Sequence, residues 1–144
     1  LVSRDGTRFV AVVRSGGRDE LRLGRIEVGP RGRIDRIGRT EEIALQPGVP
    51  VRIRDVAWSA PSRLALLVRL DPAGLFEVRT VSVDGSPASV EALPTVTEPL
   101  SGLVGSPRAG LPLYGTTRTG LIDLAEGGPY GFVGGTPSSI AYVG

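Results

Sequence analysis

A block of eight residues near the start of the chain recurs 55 residues later. TRFVAVVR at 7–14 aligns with SRLALLVR at 62–69. At the same offset, the next apolar residues also align, and these are Leu21, Leu23, Ile26 and Val28 with Phe76, Val78, Val81 and Val83. A weaker third copy follows from residue 103, at offsets that shorten to 47 and 46. Repeats of this length, built from short apolar runs, predict a stacked or radial β architecture.

Each copy predicts short strands separated by turns, in keeping with the 21 glycines and 12 prolines of the chain. The first copy predicts strands at 8–14, 20–28 and 34–45. The second predicts strands at 51–59, 63–70, 75–83 and 88–93. The third predicts strands at 100–106, 111–116, 120–124 and either 130–133 or 139–143.

Four strands in each copy indicate an all-β fold of about three four-stranded antiparallel blades, forming part of a β-propeller. The single domain spans residues 1–144, with approximate blades at 1–46, 51–94 and 98–144. Closed propellers typically have about four to eight blades, so three blades leave two apolar faces uncovered. Either further repeats of a longer protein complete the ring, or two copies of the chain close it as a homodimer.

The apolar alternation changes phase within two aligned segments. Leu21 and Leu23 point to one side of their strand, and Ile26 and Val28 point to the other. The second copy has the same change between Val78 and Val81. This pattern predicts a β-bulge or a strong local twist at residues 24–25 and again at 79–80.

The residues that are missing exclude several chemistries. The sequence contains no Cys, His or Lys. It therefore lacks the groups for a Ser-His-Asp site, a usual zinc site or a lysine Schiff base. We expect no enzymatic activity, no cofactor and no metal. The single RGR run at 31–33 lacks interleaved aromatic residues, so nucleic-acid binding is not expected either.

Charge is distributed unevenly along the chain. Residues 1–54 hold 12 Arg and 7 acidic residues, and residues 55–144 hold 5 Arg and 8 acidic residues. An excess of arginine can decorate a solvated face or form a basic surface for an acidic partner. The residues expected to line an interaction surface are Arg31, Arg33, Arg36, Arg39, Tyr130, Phe132 and Tyr142. Trp58, the only tryptophan, is expected to be a core residue rather than a channel contact.

Several segments resemble the C-terminal β-propeller region of the actinobacterial LpqB-type lipoproteins. They are VSRDGTRFVAVVR and ELRLGRIEV within 2–28, RDVAWSAPSRLALLV at 54–68, VSVDG at 81–85 and GGTPSSIAYVG at 134–144. The resemblance implies an extracytoplasmic protein, held at the outer face of the cell membrane only by a lipid anchor upstream of this chain. It also implies an accessory role in signal transduction, in which the protein binds the extracellular domain of a two-component sensor kinase.

Two other functions stay open from the residues alone. A propeller of the cell envelope could bind or cleave carbohydrate with a pair of carboxylates. The residues considered for that role are Asp5, Asp55, Asp71, Asp84 and Asp123, although an aspartate in such a position more often caps a turn. The third alternative is a structural spacer.

Overall fold

The protein is described by a computed structural model that covers residues 1–45, 51–83, 91–92, 99–106, 108, 110–125 and 129–130. Within these residues the chain forms eleven β-strands and one short 3-10 turn, arranged as three antiparallel sheets. The all-β prediction is confirmed. No helix in the described part of the chain is long and apolar enough to cross a membrane.

The first sheet consists of β1 (Arg8–Ser15), β2 (Arg18–Val28) and β3 (Ile34–Ile43) in that order. The two-residue turn between β1 and β2 is Gly16 and Gly17, whose φ angles of 55° and 83° suit glycine. Residues 1–3 lie beside the start of β1, where Val2 forms an isolated bridge with Phe9. This segment occupies the position of an inner strand, as expected from the alignment.

The second sheet consists of β4 (Arg52–Ala60), β5 (Arg63–Arg69), β6 (Glu77–Ser82) and β7 (Glu91–Ala92). The third sheet consists of β8 (Gly102–Val104), β9 (Tyr114–Thr116), β10 (Leu121–Asp123) and β11 (Pro129–Tyr130). Every described strand lies in or close to a predicted one. The alternative last strand at 139–143 falls outside the described residues.

Strand number differs from the prediction in the first sheet. That sheet has three strands among the described residues, not four, because its inner position holds only the Val2 bridge. The other two sheets each include a fourth, outermost strand of two residues. Three strands therefore carry most of the hydrogen bonding in every sheet.

The repeat is regular on the first strand pair but not on the second. Ala11 pairs with Arg22, and Leu66 pairs with Arg79. Leu66 follows Ala11 by 55 residues, whereas Arg79 follows Arg22 by 57, because the β5–β6 connection is longer than the Gly16–Gly17 turn. A difference of two residues keeps each side chain on the same face.

One of the two predicted irregularities is present. The β2–β3 ladder shifts register between Gly24 and Ile26, and the extra residue lies on β3. At residues 79–80 the pairing of β6 with β5 and β7 continues without a shift, so no bulge is present there. The apolar residues of β6 change phase because both faces of this strand are buried.

The second sheet lies between two hydrophobic clusters. Alternate residues of β5 belong to opposite clusters, so that Leu64, Leu66 and Val68 face the first sheet and Ala65 and Leu67 face the third. All five are at most 1% exposed. The first sheet completes one cluster with Val10 and Leu21, and the third sheet completes the other with Leu100, Leu103 and Leu124. Stacked sheets of this kind stabilise one another through their shared apolar surfaces.

Trp58 is 3% exposed and belongs to the cluster between the first and second sheets. The prediction that it is a core residue is confirmed. The Arg8 guanidinium lies 5.5 Å from the centroid of its ring, on the side of the first sheet. Trp58 therefore packs at the joint between two repeats.

Carboxylates connect each sheet to the first strand of the next. Asp19 accepts a hydrogen bond from the Ile53 N–H at 2.9 Å, and Asp55 accepts one from the Leu103 N–H at 2.8 Å. Arg14 and Arg52 form ion pairs with Asp19, whose side chain is 1% exposed. Both aspartates thus satisfy backbone donors where two sheets meet.

Candidate interaction surface

The four arginines predicted to bind a partner lie close together on the outer edge of the first sheet. Arg31 belongs to the 3-10 turn Pro30–Gly32, and Arg33 follows it directly. Arg36 and Arg39 lie on β3. All four are exposed. We call the segment from Arg31 to Arg39 the arginine ribbon.

The turn is held by its own backbone. The Gly29 N–H donates to the Arg33 carbonyl at 2.8 Å, and the Gly32 N–H donates to the Gly29 carbonyl at 3.2 Å. Arg31 has a φ of 72°, in the left-handed region that non-glycine residues rarely adopt. This conformation presents the arginine at the tip of the hairpin between β2 and β3.

The arginines of the ribbon differ in their partners. Arg36 forms an ion pair with Glu27 across the strands, and that hydrogen bond raises the pKa of Arg36 above its usual value. Arg31, Arg33 and Arg39 form no ion pair with any residue that the structure describes. Three guanidinium groups are thus available to an acidic partner.

The ribbon also exposes apolar side chains, which the sequence analysis did not single out. Ile34 is 62% exposed and Ile37 is 63% exposed. Ile34 pairs with Val28 and Ile37 with Ile26, which places them together on the face opposite Arg36 and its partner Glu27. The alternation of isoleucine and arginine in RIDRIGR was the available signal. Exposed aliphatic residues surrounded by charge are typical of protein-binding surfaces.

The aromatic residues predicted for the same surface are separated from it or lie outside the described residues. The backbone of Tyr130 belongs to β11 in the third sheet, where it pairs with Leu121. Phe132 and Tyr142 lie outside the described residues. The structure therefore brings together the four arginines, and it does not bring Tyr130 to the first sheet.

The aspartates considered for carbohydrate chemistry are engaged by local donors. Asp5 accepts from the Ser3 hydroxyl at 2.6 Å and from the Thr7 N–H at 3.0 Å, and these bonds lower its pKa to about 2. Asp71 and Asp123 each accept from the N–H two residues ahead, at 2.9 Å. Asp55 serves the joint with the third sheet, and Asp84 falls outside the described residues. Such bonds are the ordinary role of aspartate in turns.

No group of three or more acidic, histidine or cysteine side chains in the described part of the chain is arranged to hold a metal ion. Of the surfaces described here, the arginine ribbon and the apolar side chains beside it are the best candidates for recognition.

Comparison with known proteins agrees with the repeat architecture. The family model described as the lipoprotein LpqB β-propeller domain matches residues 1–130. Lipoprotein LpqB of Streptomyces avermitilis is 28% identical over 128 residues, which cover 88% of this chain and 20% of that protein. The chain therefore spans about a fifth of the length of this curated relative. No solved structure matches the chain. The chain belongs to the LpqB β-propeller family.

Proposed function

We propose that this chain is a non-enzymatic protein-binding module of an envelope lipoprotein, and that it supports a two-component sensor kinase by binding the kinase's extracellular domain. The arginine ribbon is the binding surface in this proposal. The observation that carries it is the exposure of Ile34 and Ile37, at 62% and 63%, beside three arginines that have no ion-pair partner in the described residues.

The ribbon has the two components that a protein interface needs. Isoleucine side chains supply apolar area that binding removes from water. Arginines supply charge-assisted hydrogen bonds to carboxylates and can make them in pairs. The partner surface is therefore expected to carry aspartate or glutamate around an apolar patch.

The non-enzymatic role is supported by the chemistry of the chain. The sequence lacks histidine, cysteine and lysine, the groups that most often act as bases or nucleophiles. Asp5, Asp71 and Asp123 accept hydrogen bonds from their own turns. Retaining and inverting glycosidases need two carboxyl groups facing one cleft, and none of these three has a second carboxylate as a neighbour in its turn.

The proposed location is the outer face of the cell membrane, reached through a lipid anchor outside this chain. It is supported by the family description, which names a lipoprotein. The anchor would hold the module near the membrane, where it would meet the extracellular domain of a membrane-bound kinase. Tethering of this kind raises the effective concentration of two weakly binding partners.

The direct test is binding of this chain to the purified extracellular domain of a sensor kinase from the same organism, measured by biolayer interferometry. Reversing charge at two unpaired positions, Arg33→Glu with Arg39→Glu, is expected to weaken binding by about tenfold or more. The matched control is Arg108→Glu with Arg118→Glu, which makes the same change in net charge at exposed positions of the third-sheet region. The control is expected to bind within about threefold of the unmodified chain.

The two pairs separate a specific site from a general charge effect. Equal weakening by both pairs would contradict the ribbon as the binding surface. Saturable binding to a glycan array, together with no binding to the kinase domain, would favour the carbohydrate alternative over the proposed function.

A further inference from the structure

The first sheet has an apolar face that no described residue of another sheet covers. The register of β1 with β2 places Phe9, Ala11 and Val13 on the side opposite Val10, the core residue of this strand. Ile26 and Val28 lie on the same side, because β2 continues without a bulge on its own backbone. Val13 is 39% exposed and Val28 is 48% exposed. We call these five residues the open face.

The open face has a counterpart in the second sheet. Phe9, Ala11 and Val13 of β1 correspond to Leu64, Leu66 and Val68 of β5 through the repeat. The cross-strand neighbours agree, because a glutamate–arginine ion pair lies opposite each set. These ion pairs are Glu20 with Arg22, and Glu77 with Arg79.

The counterpart is a sheet-binding surface. Leu64, Leu66, Val68, Val81 and Val83 form the side of the second sheet that packs on Val10 and Leu21 of the first. They are 0%, 0%, 1%, 0% and 8% exposed, respectively. The same positions of the repeat are thus buried where a preceding sheet is present, and partly exposed where none is described.

We propose that the open face binds a further antiparallel sheet of this same repeat, which presents alternating valine and leucine as the first sheet does with Val10, Val12, Leu21 and Leu23. The interface would continue the stacking already seen between the first and second sheets. A protein such as lipoprotein LpqB, of which this chain spans about a fifth, is long enough to carry the additional sheet. A propeller also needs more than three blades to close.

A second copy of this chain fits the open face less well. To extend the stack, its third sheet would have to offer the side that lies away from the second sheet. The register places Val104 and Leu121 on that side. They are only 6% and 8% exposed, so this side is already covered within the chain.

The test extends the chain by one repeat. A duplicate of residues 1–55 is fused ahead of Leu1, so that the added VRIRD segment precedes residues 1–3 as it precedes residues 56–58 in the second sheet. The chain contains no cysteine, so Val13→Cys in the original copy gives a single labelling site on the open face. Maleimide labelling of this thiol is expected to slow by about tenfold or more in the extended chain, because the added sheet covers it.

Two controls make the result specific. Leu75→Cys, at a residue that is 80% exposed, is expected to label at the same rate with and without the extension. Val10→Asp with Leu21→Asp in the added copy alone breaks its apolar face and is expected to restore fast labelling of Val13→Cys.

Two outcomes would overturn the proposal. One is equal labelling of Val13→Cys in the extended and the original chain. The other is protection of Val13→Cys in the original chain that increases with protein concentration, since that would assign the face to a second copy.

Discussion

The first and second sheets are built from the same repeat but differ in what surrounds them. The second sheet is buried on both faces, and Leu64, Ala65, Leu66 and Leu67 are fully buried. The first sheet is buried on one face only, and Val13, the repeat equivalent of Val68, is 39% exposed. Neighbouring sheets, rather than strand sequence alone, therefore decide how much each repeat contributes to stability.

The largest expected difference concerns one position of the repeat. Val68→Asn places an amide where the side chain is 1% exposed, and its loss of packing and unpaired polar group are expected to cost about 3–4 kcal/mol. Val13→Asn, on the open face, is expected to cost less than about 1 kcal/mol. Urea unfolding followed by circular dichroism compares the two variants. Equal losses would remove the distinction between the sheets.

The joint between the two sheets is expected to depend on pH. Burial favours protonation of Asp19, but the hydrogen bonds from Arg14 and the Ile53 N–H, with the charges of Arg14 and Arg52, outweigh it and lower its pKa. A lowered pKa in the folded state adds stability above the ordinary carboxyl pKa of about 3.9, and that stability is lost as the pH falls through the folded value.

Asp19→Asn is expected to cost about 1.5–3 kcal/mol near neutral pH, because the charge-assisted hydrogen bonds are lost. The deficit is expected to shrink as the solution is acidified below about pH 4, where protonation of Asp19 begins to weaken the unmodified chain as well. Denaturant midpoints of both proteins across this range measure it. A deficit that stays constant down to about pH 2 would show that Asp19 does not act through its charge.

Two glycines sharpen the same comparison at smaller cost. A Cβ on Gly105 would overlap the Trp58 carbonyl at the joint of the second and third sheets, where backbone atoms have little room to move. A Cβ on Gly24 would overlap the Phe9 ring, which lies on the open face and can turn away. Gly105→Ala is expected to cost about 1–3 kcal/mol, and Gly24→Ala less than about 1 kcal/mol. Thermal unfolding would reveal the order, and a larger loss for Gly24→Ala would contradict it.

Much of the fold could be predicted because the apolar runs and glycine turns repeat at a nearly constant interval. The 79–80 segment was misread, because Val78 and Val81 pack on opposite clusters and a phase change needs no bulge in a strand covered on both sides. The inter-sheet roles of Asp19 and Asp55 could not be predicted, since their backbone donors lie 34 and 48 residues away. Sequence spacing does not reveal which carboxylate meets a distant N–H.

The candidate surface was predicted in part. The excess of arginine in the first repeat pointed to the ribbon, and the structure adds Ile34 and Ile37 beside it. Tyr130 was grouped with the arginines on residue type alone, and its place on β11 depends on the pairing of the third sheet. Proximity between repeats depends on tertiary structure that composition does not encode.

The most direct test of the account compares thiol labelling at equivalent positions of the two sheets in the chain itself. Val13→Cys and Val68→Cys each create the only cysteine of the protein. The account predicts that Val13→Cys reacts quickly with a maleimide under native conditions and that Val68→Cys reacts about a hundredfold or more slowly. Similar rates at the two positions would contradict the claim that one repeat is enclosed on both faces and the other has a face open to a partner.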